Sequence, residues 1–367
     1  MVGHSFGVVA AVYNYNRRSG LINDFLWTLF KVPAAFFYDD KFGFEPKQTI
    51  GTAMKAVRWL HSRLGADFAE KKVQLKDRPV ILGIEYDLPN RLLQVTEDRR
   101  EELKSELRHH LSQKSLTSGQ AAKLKGKLLY AATQLWGKIG RAYLRPLSER
   151  QYSKKPRTKL DKALELALKA WIRLLDSAPR RTLRPNMNTD TDYVLFTDGF
   201  FPDWRKAETG KPQVGGVLFE TKGRESPKYF TQKLEQSRMD TWITRKNQIA
   251  MVELFAPVLA LETFKGQLKG KKVLLFVDSE SVEGALVKGY SSREDISELV
   301  GQFWDVAASL ECTIYIDRVS TDGNPAVGPS RPGKDVPSPE LSWELVETMA
   351  SQVVDSRGKR AWVYCHT

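Results

Sequence analysis

Three acidic residues stand where metal-assisted chemistry would want them. Asp198 closes the apolar run YVLFTD, Asp278 closes KKVLLFVD, and Glu253 sits inside the otherwise apolar stretch AMVELFAPVLALE. The two short runs read as strands and the long stretch around Glu253 as a helix. Strand ends in an open α/β sheet gather along one edge, so two aspartates there and a glutamate from a covering helix can converge on a common point. Carboxylates at close range repel unless cations neutralise them. Two Mg²⁺ ions (or Mn²⁺) about 4 Å apart would do so, activating a water and stabilising the leaving oxygen of an in-line phosphodiester displacement. Each residue alone is a weak signal, because aspartate after a strand is a common turn former and a lone helical glutamate is usually solvated. Their order on these three elements carries the reading.

A second acidic group lies near the front. Asp39 and Asp40 fall between two apolar stretches in VPAAFFYDDKFGF, which places them at the tip of a strand–turn–strand hairpin. An acidic dipeptide in a turn is unremarkable by itself.

The elements that must position these residues follow from periodicity. In TIGTAMKAVRWLHSRLG the residues Met54, Val57, Leu60 and Leu64 recur at helical spacing, with Gly65 as the stop. PVILGIEYDL reads as a short strand. From Thr96 to Ser177 the pattern is helical, opening with Thr96 as an N-cap before Glu97 and Asp98. Leu124, Leu128, Ala131 and Leu135 line one face of a second helix, and Lys123, Lys125, Lys127 and Lys138 surround it. RQYSKKPRTK and APRRTLRPNMNTDTD read as linkers. Residues 192–331 then run strand, strand, short strand, helix, strand, helices, strand, an α/β layer. PGKDVPSPE is a proline-rich connector, and SWELVETMASQVVDSR is expected to be a terminal helix.

Composition narrows the function classes. At 367 residues the chain is long enough for two or three cores. No apolar run approaches the roughly 20 residues that span a bilayer, and Met1 to Ala11 lacks the pattern of a signal peptide. We expect no membrane association and an intracellular location. Cys312 and Cys365 are the only cysteines, which excludes a disulfide framework and a multi-cysteine zinc site. The net charge of +13 is concentrated: Glu97 to Pro185 holds 22 Lys+Arg against 9 Asp+Glu, leaving 35 of each sign elsewhere. A surplus gathered in one segment suits a polyanion, since cations near phosphates release condensed counterions. The alternative is a well-solvated helical surface.

The motifs together carry a resemblance. FTDG, VELFAPVLALE, FVDSESVEGALVKGYSS and RVSTDGNPAVGPSR, in that order, resemble the ribonuclease H domain of retroelement polyproteins. By that resemblance Asp198, Glu253 and Asp278 are the first three metal-binding carboxylates. A fourth is expected in a closing motif similar to NPAD before Pro-Ser-Arg, and here Val327 stands in its place; Asp322, five residues earlier, is the nearest acidic alternative. Upstream, HSFGVVAAVYNYNR resembles the template-contacting motif of reverse transcriptases and FYDD their catalytic hairpin, so Asp39 and Asp40 would be catalytic and metal-binding. LGADFAEKKVQL and PVILGIEYDL resemble the lysine-bearing segment and primer-grip hairpin that follow. LKGKLLYAATQLWGKIGRAYLRPL resembles thumb and connection, with Lys123, Lys125, Lys127, Lys138 and Arg141 as nucleic-acid-binding residues.

The resemblance implies an α+β and α/β multidomain fold. It comprises a partial palm over 1–95, a basic helical thumb and connection over 96–185, a ribonuclease H-like mixed sheet with helices over 186–331, and a tail over 332–367. It also implies Mg²⁺ or Mn²⁺ as cofactor, and RNA/DNA hybrid or primed template as partner, with other parts of a retroelement polyprotein as further partners. The family carries another catalytic aspartate on a palm strand well before the FG motif, and His4 to Gly7 lie almost at the start of this sequence. The expectation is loss of polymerase activity by truncation and a ribonuclease H weakened by Val327. The alternative is a catalytically dead nucleic-acid-binding relic.

Overall fold

The computed structural model describes residues 9–66, 69–154, 158–183, 190–202, 210–223, 225–331, 333 and 343–348. His4 to Gly7, the connector 334–340, most of the expected terminal helix and Cys365 lie outside the described residues. The chain divides into two compact units, Met1–Leu92 and Leu93–Thr367.

The first unit begins with helix α1 (Val9–Phe30), which the sequence pattern did not announce. Its buried residues Ser19, Ile22 and Leu26 fall at helical spacing on one face. Strands β1 (Ala34–Phe37) and β2 (Asp40–Gly43) follow as an antiparallel hairpin in which Phe37 pairs with Asp40 across a two-residue turn. Tyr38 takes a φ of 52° there, a left-handed conformation that an aromatic residue seldom adopts. Helix α2 (Thr52–Arg63) buries Leu60 against Ile22 and Leu26 of α1, with Met54 and Val57 half-buried, and Gly65 at φ 57° ends it as expected. PVILGIEYDL, read from its pattern as one strand and by resemblance as a hairpin, is a hairpin of β3 (Val80–Ile81) and β4 (Ile84–Asp87). Leu82 and Gly83 both have positive φ, the geometry that tight hairpin turns require.

The short strand β5 (Leu92–Val95) starts on the last residue of the first unit, and helix α3 (Glu97–Gln113) follows in the second. Thr96 occupies the N-cap position, but its side chain makes no capping bond. Helix α4 (Ser118–Ala132) has a complete capping box between Thr117 and Gln120. Leu124, Leu128 and Ala131 are buried along α4, and Leu135, just past its end, closes the same core. Helix α5 (Arg145–Gln151) and helix α6 (Lys162–Ser177) complete this module, with Trp171 fully buried at its centre.

The stretch RQYSKKPRTK is not simply a linker. Its first residue, Arg150, is 4% exposed and donates to the carbonyls of Leu116 (2.7 Å) and Lys159 (2.8 Å). A buried guanidinium must place its donors, and these carbonyls belong to the segments joined by the Ser115–Lys159 bridge.

After the short strand β6 (Arg181–Thr182) comes a six-stranded mixed sheet. Strands β7 (Tyr193–Phe200), β8 (Gln213–Glu220) and β9 (Lys228–Lys233) run antiparallel to one another. A short helix, α7 (Gln236–Met239), precedes α8 (Ile249–Thr263), which is apolar on nearly every side and is buried between the sheet and α11. After α9 (Lys265–Leu268), strand β10 (Lys272–Val277) lies parallel to β7. Helices α10 (Glu280–Lys288) and α11 (Glu294–Ser309) then lead to β11 (Thr313–Arg318), parallel to β10. A one-turn helix, α12 (Val327–Ser330), packs back on β7, β8 and β9.

The expected terminal helix is corrected at its start. Glu344 and Leu345 form strand β12, parallel to β9, and complete the sheet order β11-β10-β7-β8-β9-β12. Trp343 packs edge-on against Phe219 and Tyr229, and Lys228 donates to Glu344 at 2.9 Å, so contacts outweigh local helical spacing.

The helical module and the sheet module meet within this unit. Arg141 and Arg145 donate to the carbonyls of Lys288 and Ser292, and Tyr143 donates to Asp305 at 3.2 Å. Gly137, at φ 53°, lies so close to the Trp304 ring that an added Cβ would be 2.7 Å from it.

Candidate active site and nucleic-acid interface

Two glycines let the site assemble. Gly199 follows Asp198 on β7, and a Cβ there would stand 2.7 Å from the Glu253 backbone nitrogen, so its absence lets α8 lie directly on the strand. Gly215 pairs with Asp198 across β8, and a Cβ there would stand 2.5 Å from the Ser330 nitrogen, so α12 can seat on the sheet. Glu253 and Ser330 are thereby brought beside Asp198. Asp198 lies inside β7, two residues before its end, rather than closing the strand as expected, and Asp278 follows β10 just beyond the paired Phe196 and Phe276.

Asp198 is 4% exposed, while Glu253 and Asp278 are half-buried. Burial is the main cause that pushes Asp198 up to about 6, with the Asp278 charge adding to it and the Ser330 hydroxyl opposing. Burial likewise pushes Glu253 up to about 7, with Asp278 and Asp198 adding. Each of the three carboxylates accepts from a hydroxyl of its own: Asp198 from Ser330, Glu253 from Ser279, and Asp278 from Thr321 at 3.2 Å. Sequence reasoning missed these hydroxyls.

The donor set suits a divalent cation. Hard carboxylate oxygens, on Asp198 and Glu253 disfavoured in their ionised form by burial and by neighbouring charge, are what Mg²⁺ or Mn²⁺ would relieve. Among the described residues no three acidic, histidine or cysteine side chains are already closed around a point that would hold an ion, so binding would have to draw these carboxylates together.

Val327 begins α12, and its backbone carbonyl lies 3.1 Å from the Ser330 hydroxyl. The expected fourth position is thus linked to Asp198 through the Ser330 hydroxyl, and it holds a side chain that cannot ligate a metal. Asn324 fixes this segment by donating to the Thr197 carbonyl at 3.1 Å. Asp322 is exposed on the preceding turn, adjacent to Thr321.

Asp39 and Asp40 are exposed at the β1–β2 tip, in the other compact unit. Asn23 anchors that hairpin to α1, donating to the Ala34 carbonyl and accepting from Lys41 at 2.6 Å. Burial pulls the Lys41 ammonium down to about 8.

The five cations read as phosphate contacts have different surroundings. Lys123 is exposed. Lys127 pairs with Glu106 (2.7 Å) and Glu102 (3.2 Å), and Lys125 donates to Gln151 and lies over the Tyr152 ring. Lys138 and Arg141 lie against Gly289 at the seam between the modules, and burial lowers the Lys138 pKa.

An antiparallel β7–β8–β9 meander and two strands parallel to β7, with covering helices, make a mixed sheet of the ribonuclease H-like kind. The chain as a whole is similar to foamy viral protease-reverse transcriptase. With the structure of that protein in complex with dsDNA it shares 13% identity over 86% of this chain and 60% of that chain, TM-score 0.41. With the structure in complex with RNA/DNA hybrid the values are 12%, 85%, 38% and 0.40. RNase H1 from the halophilic archaeon Halobacterium salinarum matches 36% of this chain and 89% of its own, at 18% identity and TM-score 0.28. The chain thus spans between about two fifths and three fifths of the foamy viral chains. These likenesses concern architecture alone. No family model matches the chain, and no curated protein does. Among the described residues no helix is long and apolar enough to cross a membrane.

Proposed function

We propose that this chain is a retroelement reverse transcriptase and ribonuclease H piece that binds RNA/DNA hybrid and hydrolyses its RNA strand, weakly, at Asp198, Glu253 and Asp278. The observation that supports it best is the meeting of these carboxylates at one sheet edge, two of them driven toward neutrality by burial and by one another. Asp198, Glu253 and Asp278 would hold Mg²⁺ or Mn²⁺, which when bound supplies charge neutralisation and an activated water for phosphodiester hydrolysis. The chain's own part is to fix three oxygens on rigid elements and to keep that edge shielded by α8 and α12. Cleavage of a labelled hybrid under varied Mg²⁺, by the chain and by carboxylate variants, tests the proposal. Val327 favours a second reading, hybrid binding without hydrolysis, which that assay separates.

The basic helices are proposed to follow the phosphate backbone. Hybrid affinity should then fall steeply as salt rises, since each neutralised phosphate releases counterions. Lys123→Ala should lower both the affinity and the salt slope. Lys127→Ala should change them less, because its ammonium is shared between Glu102 and Glu106. Fluorescence anisotropy over a salt series measures both, and an affinity flat across salt would contradict the proposal.

The front hairpin gives a different expectation. Asp39 and Asp40 stand as an exposed pair at the tip of the β1–β2 hairpin. Two-metal nucleotide addition needs a fuller set of carboxylates. The chain by itself should not extend a primer on a template; extension that disappears in Asp39→Asn would overturn this.

A further inference from the structure

We infer that Ser330 is a positioning residue for Asp198 that supplies the buried carboxylate with a donor in the ion-free protein and competes with a divalent cation for Oδ2. The inference rests on the proposed reading of Asp198 as a metal ligand.

Ser330 is fully buried, and its hydroxyl lies within hydrogen-bond reach of Asp198 Oδ2 and, at 3.1 Å, of the Val327 carbonyl. A hydroxyl has one proton to give, and a carboxylate is the stronger acceptor, so the proton goes to Asp198. The residue cannot swing away easily. Its backbone nitrogen donates to the Ala326 carbonyl at 3.0 Å, Gln213 donates to the Pro329 carbonyl at 2.8 Å, and the Gly215 backbone leaves no room beneath.

A carboxylate this buried needs either a cation or donors to stay charged. Asp198 has the Ser330 hydroxyl and the Gly199 N–H, with Arg331 contributing only its charge. Val327, three residues before Ser330 on the same turn, brings a carbonyl to Ser330 and no ligand for an ion. The neutral donor from residue 330 therefore takes up the oxygen that a more heavily loaded metal site would use.

The experiment is Mn²⁺ binding to the full chain, freed of metal, at pH 8, read by electron paramagnetic resonance of unbound Mn²⁺ beside a melting curve. Wild type should bind Mn²⁺, and Asp198→Asn should remove that binding. Ser330→Ala should melt lower without metal yet bind Mn²⁺ about tenfold tighter, since a hydrogen bond to a charged group no longer competes. A residue that only packs α12 against the sheet would lower the melting point and leave Mn²⁺ affinity unchanged or weaker, and that result overturns the inference. Should Ser330→Ala fail to fold, Ser330→Cys, of similar size but a weak donor, should show the same tightening. If wild type binds no Mn²⁺ that depends on Asp198, the metal-site reading fails and this inference with it. If binding depends on Asp198 but is indifferent to residue 330, only the inference fails.

Discussion

Asp278→Asn should lower Mg²⁺-dependent hydrolysis of the RNA strand on the order of a hundredfold or more. The substitution keeps the side-chain shape and the acceptor for Thr321, but removes a charge and a proposed ligand from the edge shared by β7 and β10. Asp278 is also among the causes that hold Asp198 and Glu253 above their ordinary range. Its replacement should therefore let Glu253 titrate lower, which carboxyl NMR can follow even in an inactive variant. Val327→Asp should act in the opposite direction. Residue 327 starts the turn whose hydroxyl touches Asp198, so a carboxylate there would add an oxygen to the three proposed ligands. Cleavage should rise several-fold, and the Mg²⁺ needed for half-maximal rate should fall. If Val327→Asp changes neither while Asp322→Asn silences the chain, the closing motif is aligned wrongly and Asp322 is the working ligand.

The second large effect concerns stability and pH. Asp305, on α11, is buried where the helical module meets the sheet module, and burial pushes its carboxyl up to about 7 although Tyr143 donates to it and Arg173 lies near. In the unfolded chain the same group titrates near its ordinary value of about 4. Between those values the folded state holds a proton that the unfolded state has lost, so stability falls as pH rises from about 4 to about 7 and levels off above. Asp198 and Glu253 act in the same sense. Full conversion for Asp305 would amount to about 4 kcal/mol, and relaxation around the charge brings a realistic figure to about 2 kcal/mol. Asp305→Asn keeps an acceptor for Tyr143 and has no charge to bury. It should stabilise the protein at pH 8 by that amount and by about a third as much at pH 5. Denaturant melts at the two pH values measure it; equal destabilisation at both would show that the carboxylate itself is needed at the junction.

Much of this arrangement was legible in the residues. Asp198 and Asp278 end apolar runs and Glu253 interrupts one, patterns that survive in any context because they depend on local periodicity. The hairpin carrying Asp39 and Asp40 was equally plain. Helix α1 was not, because YNYNRRSG places polar residues through its middle and only three positions are buried. Ser330 and Thr321 were out of reach for a different reason: each bonds a carboxylate far away in sequence, and only sheet pairing brings them together. Arg150 looked like part of a basic linker until the crossing of two segments buried it. Charge counting also has a blind side. It registers Lys127 as a free cation, whereas Glu102 and Glu106, a helix earlier, already engage it.

Cleavage of an RNA/DNA hybrid labelled on its RNA strand, with wild type, Asp198→Asn and Val327→Asp compared across Mg²⁺ and Mn²⁺, decides the proposed function. The expected result is slow, metal-dependent cutting of RNA in the hybrid but not of single-stranded RNA, lost in Asp198→Asn and raised in Val327→Asp. No product from wild type or Val327→Asp at any metal concentration, or product that persists in Asp198→Asn, would contradict it.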